Sequence, residues 1–398
     1  MNSNTDRFLC PQWMRWLCCV AGMTLMALVI WPARVGFADE GSTSQVPVEK
    51  PSIEEVAAEA GPQDPLPELI EQALKVNRRR YLTAGTHTPW QIMHGVLGLR
   101  QDFRVKVDGK TVPAIQWLSA GPKHKGEPWW EKTEHGGRAH LYTEPYVFQG
   151  HACQFLAILS MTGLPLDHQL QTEDGPITIA DIVADAQQSM RVGEEPTWSL
   201  WALSHYLDTN AEWENDLGEM WSIERLVRSQ FYEDPNRAAC GGTHGMFALA
   251  YALRQHRLAG NRLRGVWLEA DFKVQQYVET ARRLQNKDGS FSGQYFKGPG
   301  EESDLNKRLG TSGHVLEFLA VALSDEQLRA DWVHRAAVKV ATDLVEGSQE
   351  PLKCGPMYHA LDGLIIYRNR LQGLSVTGRV VSTGETAEND SPQASSAP

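Results

Sequence analysis

Cys240 to Leu253 reads CGGTHGMFALAYAL, and two patterns meet in it. From Met246 onward Met, Phe, Leu, Tyr and Leu are separated by alanines, the composition of a helix buried on every side. Before it stand Gly241, Gly242, Thr243, His244 and Gly245, a lead-in that lets the chain turn before the helix. The arrangement recurs. HGVLGL from His94, HACQFLAIL from His151, WSLWALSHYL from Trp198, HVLEFLAVAL from His314 and HALDGLIIY from His359 superimpose on HGMFALAYAL from His244. Five of these six segments hold histidine at one register and the third holds Trp198. The starts lie 57, 47, 46, 70 and 45 residues apart, so the repeating unit is a helix pair of about 45 residues.

Longer, more charged segments alternate with these: IADIVADAQQSM (179–190), IERLVRSQF (223–231), EADFKVQQYVETARRL (269–284) and EQLRADWVHRAAVKVATDLVE (326–346), with LPELIEQALKVNRRRYL (66–82) ahead of the first. Each has one apolar face. An all-apolar helix alternating with an amphipathic one is what a closed ring of helix pairs requires, and the expected fold is an all-α (α/α)6 toroid of inner and outer helices. One interval breaks the pattern. Between His94 and His151 there is no good outer helix; FRVKVDGKTVPAIQWL (103–118) alternates around Asp108-Gly109, a β-hairpin signal, and WWEKTEHGGRAHLYTEPY (129–146) reads as a loop.

The turn ARRLQNKDGSFSGQYF (281–296), followed by GTSGHVLEFLAVAL, resembles a repeat of the terpenoid cyclase and protein prenyltransferase toroids, in which a Gln-x-x-Asp-Gly-Ser-aromatic turn joins an outer helix to the next inner one. Here it is Gln285, Asp288, Gly289, Ser290 and Phe291, with Phe where Trp is usual. Gly289 suits a positive φ and Asp288 can bond the backbone ahead of it. The resemblance implies the toroid fold but no activity: the Asp-x-Asp-Asp motif, the Asp-x-Cys and distant His set, and the Gly-Cys-Gly-Glu-Gln thioester motif are all missing. Met93-His94-Gly95 and Thr243-His244-Gly245 are similar to the His-Gly helix starts of lanthionine cyclases, without their Cys-His-Gly zinc motif.

The chain has 398 residues, with 38 basic and 49 acidic side chains and a net charge of −11. That balance excludes a nucleic-acid surface, which needs clustered Lys and Arg. Arg7 and Arg15 precede the apolar run 16–31, and Gly36-Phe37-Ala38 fits signal cleavage, so residues 1–38 read as a signal peptide and the mature protein as periplasmic or extracellular. Sixteen apolar residues fall short of the roughly 20 a span needs; without cleavage the run would be a signal anchor, and with it no stable membrane span remains. Residues 39–65 read as a disordered linker, 66–372 as the toroid domain and 373–398 as a disordered tail. Cleavage removes Cys10, Cys18 and Cys19 and leaves Cys153, Cys240 and Cys354.

If the inner helices run parallel, five imidazoles and Trp198 gather at one mouth beside helix N-termini, an arrangement suited to an anionic ligand. Three residues on, the register holds Leu97, Gln154, Trp201, Phe247, Glu317 and Asp362. Glu317 and Asp362, with His314 and His359, are the candidate catalytic acid–base groups; His94, His151, His244, Trp198, Trp201 and Gln154 are candidate substrate-binding residues. Cys240 and Cys354 share a Cys-Gly context before a helix. They suit a disulfide across the mouth, a metal site with His244, His314 or His359 for which zinc is the fitting ion, or a thiol nucleophile beside His244. Cys153 reads as packing between helices, and His124, His135 and His140 as part of a lid or a surface loop. No other cofactor is called for. Three functions stay open: an enzyme acting on an anionic or carbohydrate-like small molecule or glycan in the lumen, a metal-dependent transferase or hydrolase, and a non-catalytic envelope scaffold. The sequence leaves the oligomeric state open.

Overall fold

Side-chain caps set several helix starts: Thr88 and Thr178 form capping boxes with Gln91 and Asp181, Ser222 accepts from the Arg225 amide and Asp304 from the Lys307 amide. The structure, a computed structural model, describes residues 64–141 and 147–378. Among them are thirteen α-helices: α1 (Leu66–Asn77), α2 (Pro89–Leu99), α3 (Ala114–Ser119), α4 (Gln154–Ser160), α5 (Ile179–Gln188), α6 (Thr197–Tyr206), α7 (Ile223–Tyr232), α8 (Thr243–Leu258), α9 (Val266–Arg283), α10 (Leu305–Ala322), α11 (Asp325–Leu328), α12 (Asp331–Glu346) and α13 (Cys354–Leu371). The remaining regular structure is five small sheets and short 3-10 turns. No described helix is long and apolar enough to cross a membrane. The signal segment at 1–38 and most of the 39–65 linker lie outside the described residues.

The six repeated segments belong to α2, α4, α6, α8, α10 and α13. These pack in the order α2–α4–α6–α8–α10–α13, and α13 packs on α2 again. They are buried all round: every residue of α10 from Leu309 to Val321 is buried. The amphipathic helices lie against neighbouring pairs of them, α5 on α4 and α6, α7 on α6 and α8, α9 on α8 and α10, α12 on α10 and α13, while α1 packs on α12 and α13. α9 shows the pattern, burying Val266, Trp267, Ala270, Val274, Val278 and Ala281 along one face. Each large aliphatic side chain removed from water in this way contributes about 1.5–3 kcal/mol.

The interval that lacked an outer helix holds β structure and the short α3. Strand Arg104–Val107 pairs with Lys110–Pro113 around Asp108 (φ 48°) and Gly109 (φ 78°), the two positive φ values of a tight hairpin turn. The hairpin is shorter than expected: residues 114–118 are helical, and a parallel partner at Leu82–Thr83 adds a third strand. The segment read as a loop contains a second hairpin, Trp130–Thr133 with Gly136–Ala139. Residues 142–146 lie outside the described residues. At the other end the ordered fold continues a few residues beyond Gln372, the expected limit of the toroid domain: the Leu374 amide donates to Asn369 O at 2.9 Å and Val376 is buried.

The Gln285–Phe291 turn has the expected logic. Gly289 has φ 92° and its Asp288 neighbour accepts from the Ser290 amide at 3.0 Å. Gln285 Nε2 donates to Trp332 O at 2.8 Å, which ties the turn to α12.

The closest helix contact is α10 against α13. A methyl group on Gly313 would meet Ala360 Cα at 2.7 Å, and one on Gly363 would meet the Glu317 backbone nitrogen at 2.9 Å. Gly310, one turn earlier on α10, would meet only Pro356 at 3.6 Å. Gly313→Ala should therefore destabilise the protein by about 1–3 kcal/mol in urea unfolding, whereas Gly310→Ala should be neutral or stabilise by up to roughly 1 kcal/mol. Equal effects from the two substitutions would contradict this packing.

Candidate functional site

The recurrent histidines do converge, but not all at helix starts. His244 is the second residue of α8, Trp198 the second of α6, and His151 precedes α4; His94 and His359 are the sixth residues of α2 and α13, and His314 is the tenth of α10. Thus α2 and α13 extend beyond the histidine level by about one and a half turns and α10 by about two and a half, and the expected cup of helix N-termini does not form at that level. His314 and His359 stack with ring centroids 4.0 Å apart, and His244 lies 4.9 Å from each. His94 approaches His359 edge-on at 5.3 Å, and Trp198 sits between His151 (5.6 Å) and His244 (5.0 Å). Trp201 stacks on Trp198 and packs against Phe247, and all three are fully buried. Gln154 is taken up locally, its Oε1 accepting from the Gly150 amide at 2.7 Å.

Burial pushes the His94 imidazole down to about 4 and holds those of His244 and His359 well below the ordinary value, so all three are neutral at pH 7. Within this cluster the positive charge falls on His314. Burial opposes its protonation, but the neighbouring Cys240 sulfur raises it to about 9. Burial likewise raises the Cys240 thiol, yet the His314 charge and a hydrogen bond from Tyr295 bring it below its ordinary range. The pair favours thiolate and imidazolium.

Cys240 is held by an unusual backbone. Cys240, Gly241 and Gly242 are successive left-handed residues with φ of 50°, 63° and 74°. The Tyr295 ring lies so close to Gly241 that a methyl group there would approach it to 2.3 Å. Among the described residues six non-glycines have positive φ, and three of them, Arg100, Cys240 and Tyr295, belong to this region. Such strain costs on the order of 1–3 kcal/mol per residue and persists where surrounding packing imposes it.

One ring nitrogen each from His244 and His314 lies, with Cys240 Sγ, in a group whose members are all within 4.8 Å of one another. Nδ1 of His314 is bound to Gly310 O at 2.6 Å, which leaves Nε2 as its free donor. The His244 Nε2 is buried without a hydrogen-bond partner, whereas His314 faces the Cys240 sulfur. A sulfur and two imidazole nitrogens, one oriented by a backbone carbonyl, form a donor set that fits zinc. Cys354 is not in this group. Neither it nor Cys240 is in a disulfide; the Cys354 thiol, raised by burial to about 11, lines a separate 540 Å³ cavity with Arg80, His87, Trp90 and Lys353. The expected mouth disulfide is absent from the structure, in which Cys354 begins α13 and Cys240 lies in the left-handed turn ahead of α8. Cys153, also left-handed at φ 60°, is a free thiol raised to about 11 by burial.

Behind the histidines runs a line of buried charge. His359 Nδ1 donates to Glu317 Oε2 at 2.9 Å, the Glu317 and Asp362 carboxyls share a hydrogen bond, and Asp362 pairs with Arg100. Burial raises both carboxyls, Asp362 furthest, so the pair retains a proton and Arg100 balances the remaining charge. Arg100 and Tyr295 carry no repeat register; only the requirement that a buried acid pair needs a cation could have pointed to Arg100. The insertion histidines are structural: His124 is buried edge-on to Phe148, His140 Nδ1 binds Glu131 Oε1, and His135 lies 3.8 Å from Asp216.

His244 also lines a 220 Å³ cleft between α6, α7 and α8, together with His151, Glu195, Ala239 and Gly242; Cys240 and His314 are not in its lining. Glu317, Asp362 and His359 are at most 2% exposed and do not line it.

Replacing His314 by Gln removes the charge that depresses the Cys240 thiol and leaves burial and the Glu317 charge, which raise it, against the smaller lowering by the Tyr295 hydrogen bond. In metal-free protein the thiolate absorbance of Cys240 should therefore titrate below the ordinary thiol range in the parent and above it in His314→Gln. An unchanged titration would separate Cys240 from His314. No protein-family model matches this chain, and neither a curated protein nor a solved structure does so.

Proposed function

We propose that the protein is an exported (α/α)6-toroid enzyme that binds one zinc ion through Cys240, His244 and His314 and carries out a hydrolysis or group transfer beside it. The toroid is supported by the closed packing order of the six apolar helices and by the Gln285–Phe291 turn, which resembles that of the terpenoid cyclase and prenyltransferase toroids. Export rests on the signal-like segment at 1–38. The metal reading is carried by one observation: one ring nitrogen each of His244 and His314 lies with Cys240 Sγ in a group within 4.8 Å, where a zinc ion would replace the proton that His314 and Cys240 share.

Zinc held by these three residues would supply a Lewis acid able to lower the pKa of water to about 7. The chain's own residues do the rest. Gly310 O fixes the His314 ring, and Tyr295 directs its hydroxyl at the Cys240 sulfur. His359 is neutral, its Nδ1 proton held by Glu317, so its other nitrogen is available to accept a proton. Asp362 and Arg100 keep Glu317 in place and the network near electrical neutrality. Trp198, Trp201 and Phe247 exclude water from the side opposite the carboxyls.

A second reading has Cys240 as the nucleophile and His314 as its base, favoured by the shifted titration of that pair. Metal analysis separates the two. Protein purified without chelator should contain about one zinc per chain; Cys240→Ser and His244→Ala should lose it, and Glu317→Gln should retain it while losing turnover. Protein that neither contains zinc nor takes it up, but is alkylated rapidly at Cys240, would exclude the metal site and leave the nucleophile.

A further inference from the structure

The 220 Å³ cleft has a charge opposite to that expected for the histidine mouth. Its lining includes three carboxylates, Glu195, Glu233 and Asp234, against Arg237 and the His151 imidazole, which pairs with Glu195. Burial works against ionisation of Glu195, but the hydrogen bond with His151 holds its carboxyl below the ordinary range, so it stays charged. Glu233 and Asp234 are exposed at the rim. The nearby Lys273 ammonium is directed at the backbone carbonyls of Phe231 and Glu233. At the inner end lies His244, whose buried Nε2 has no partner and which is grouped with Cys240 and His314 behind the cleft wall. Ala239 and Gly242, the neighbours of the Cys240–Gly241 turn, complete the wall.

We propose that this cleft is the access route and recognition subsite of the Cys240–His244–His314 centre, and that it selects a substrate carrying a positively charged group, an ammonium or a guanidinium. This rests on the reading of that centre as the reactive one. The cation would pair with Glu195 within the cleft and with Glu233 and Asp234 at the rim, while the scissile or transferable group extends past His244. An anionic substrate would meet three carboxylates on the same path.

The test uses Cys240 as its own reporter. In chelator-treated protein, the rate of mixed-disulfide formation at Cys240 is measured by peptide mass spectrometry with two methanethiosulfonates, one bearing a trimethylammonium-ethyl and one a sulfonatoethyl group. Relative to their rates with a small free thiol, the cationic reagent should be favoured at Cys240 on the order of tenfold at low salt, with the preference shrinking as ionic strength rises. Glu233→Gln with Asp234→Asn, both exposed and remote from the core, should reduce the preference, and Arg237→Gln should increase it. Cys354, beside Arg80 and Lys353, should show no cationic preference. A Cys240 ratio near one, or one unaltered by these variants, would overturn the proposal. A parallel run with zinc keeps the two readings apart. Loss of zinc protection with the charge preference intact removes the metal and leaves the cleft; zinc protection without a charge preference removes the cleft and leaves the metal.

Discussion

The approach of α10 to α13 sets the geometry of everything around the histidines. With Gly313 against Ala360 and Gly363 against the backbone at Glu317, the two helices meet at their main chains. Only at that separation can His314 and His359 stack at 4.0 Å and Glu317 reach His359 Nδ1. Side chains at these glycines would push the helices apart by part of an atomic diameter, which in a close-packed interior cannot be absorbed locally. The rest of the centre is arranged against this pair: α8 brings His244 to both rings, and the segment after the Gln285–Phe291 turn brings Tyr295 to Cys240.

Two kinds of buried polarity are kept apart by the histidines. On one side the carboxyls of Glu317 and Asp362 are satisfied by a shared proton, by Arg100 and by His359. On the other, the His314 imidazole is paired with the Cys240 sulfur, and the His244 Nε2 is left without a partner. A fully bonded network stabilises; an unbonded buried donor or acceptor costs about 1–3 kcal/mol. Of these groups, His244 is the one that also lines the cleft. The repeat register taken alone gives Glu317 and Asp362 direct contact with substrate. Their burial instead keeps them out of the cleft, and Glu317 touches His359.

Much of the fold was legible because duplication repeats it. Histidine at one register in five segments marked the central helices, and the alternation of all-apolar with one-faced segments separated them from α5, α7, α9 and α12. The helix starts were less legible. GTSG before His314 and CGPMY before His359 have the composition of turns, yet burial between neighbouring helices holds them helical against their propensity. The stretch Ala114–Ser119 shows the reverse difficulty: a few apolar residues after a hairpin are too short for periodicity to tell strand from helix. At the site, local context misled for the cysteines. Cys240 and Cys354 both precede glycine, but one is fixed in three left-handed residues and the other opens a helix. The partners Tyr295 and Arg100 come from distant segments with no shared pattern, so only the folded chain brings them into view.

The account turns on Cys240, His244 and His314 acting as one donor set. X-ray absorption at the zinc edge of the metal-loaded protein tests this most directly. The arrangement predicts a shell with one sulfur at about 2.3 Å and two imidazole nitrogens at about 2.0–2.1 Å, the remaining position being filled by a light atom. A shell without sulfur, or a zinc signal unchanged by Cys240→Ser, would contradict it.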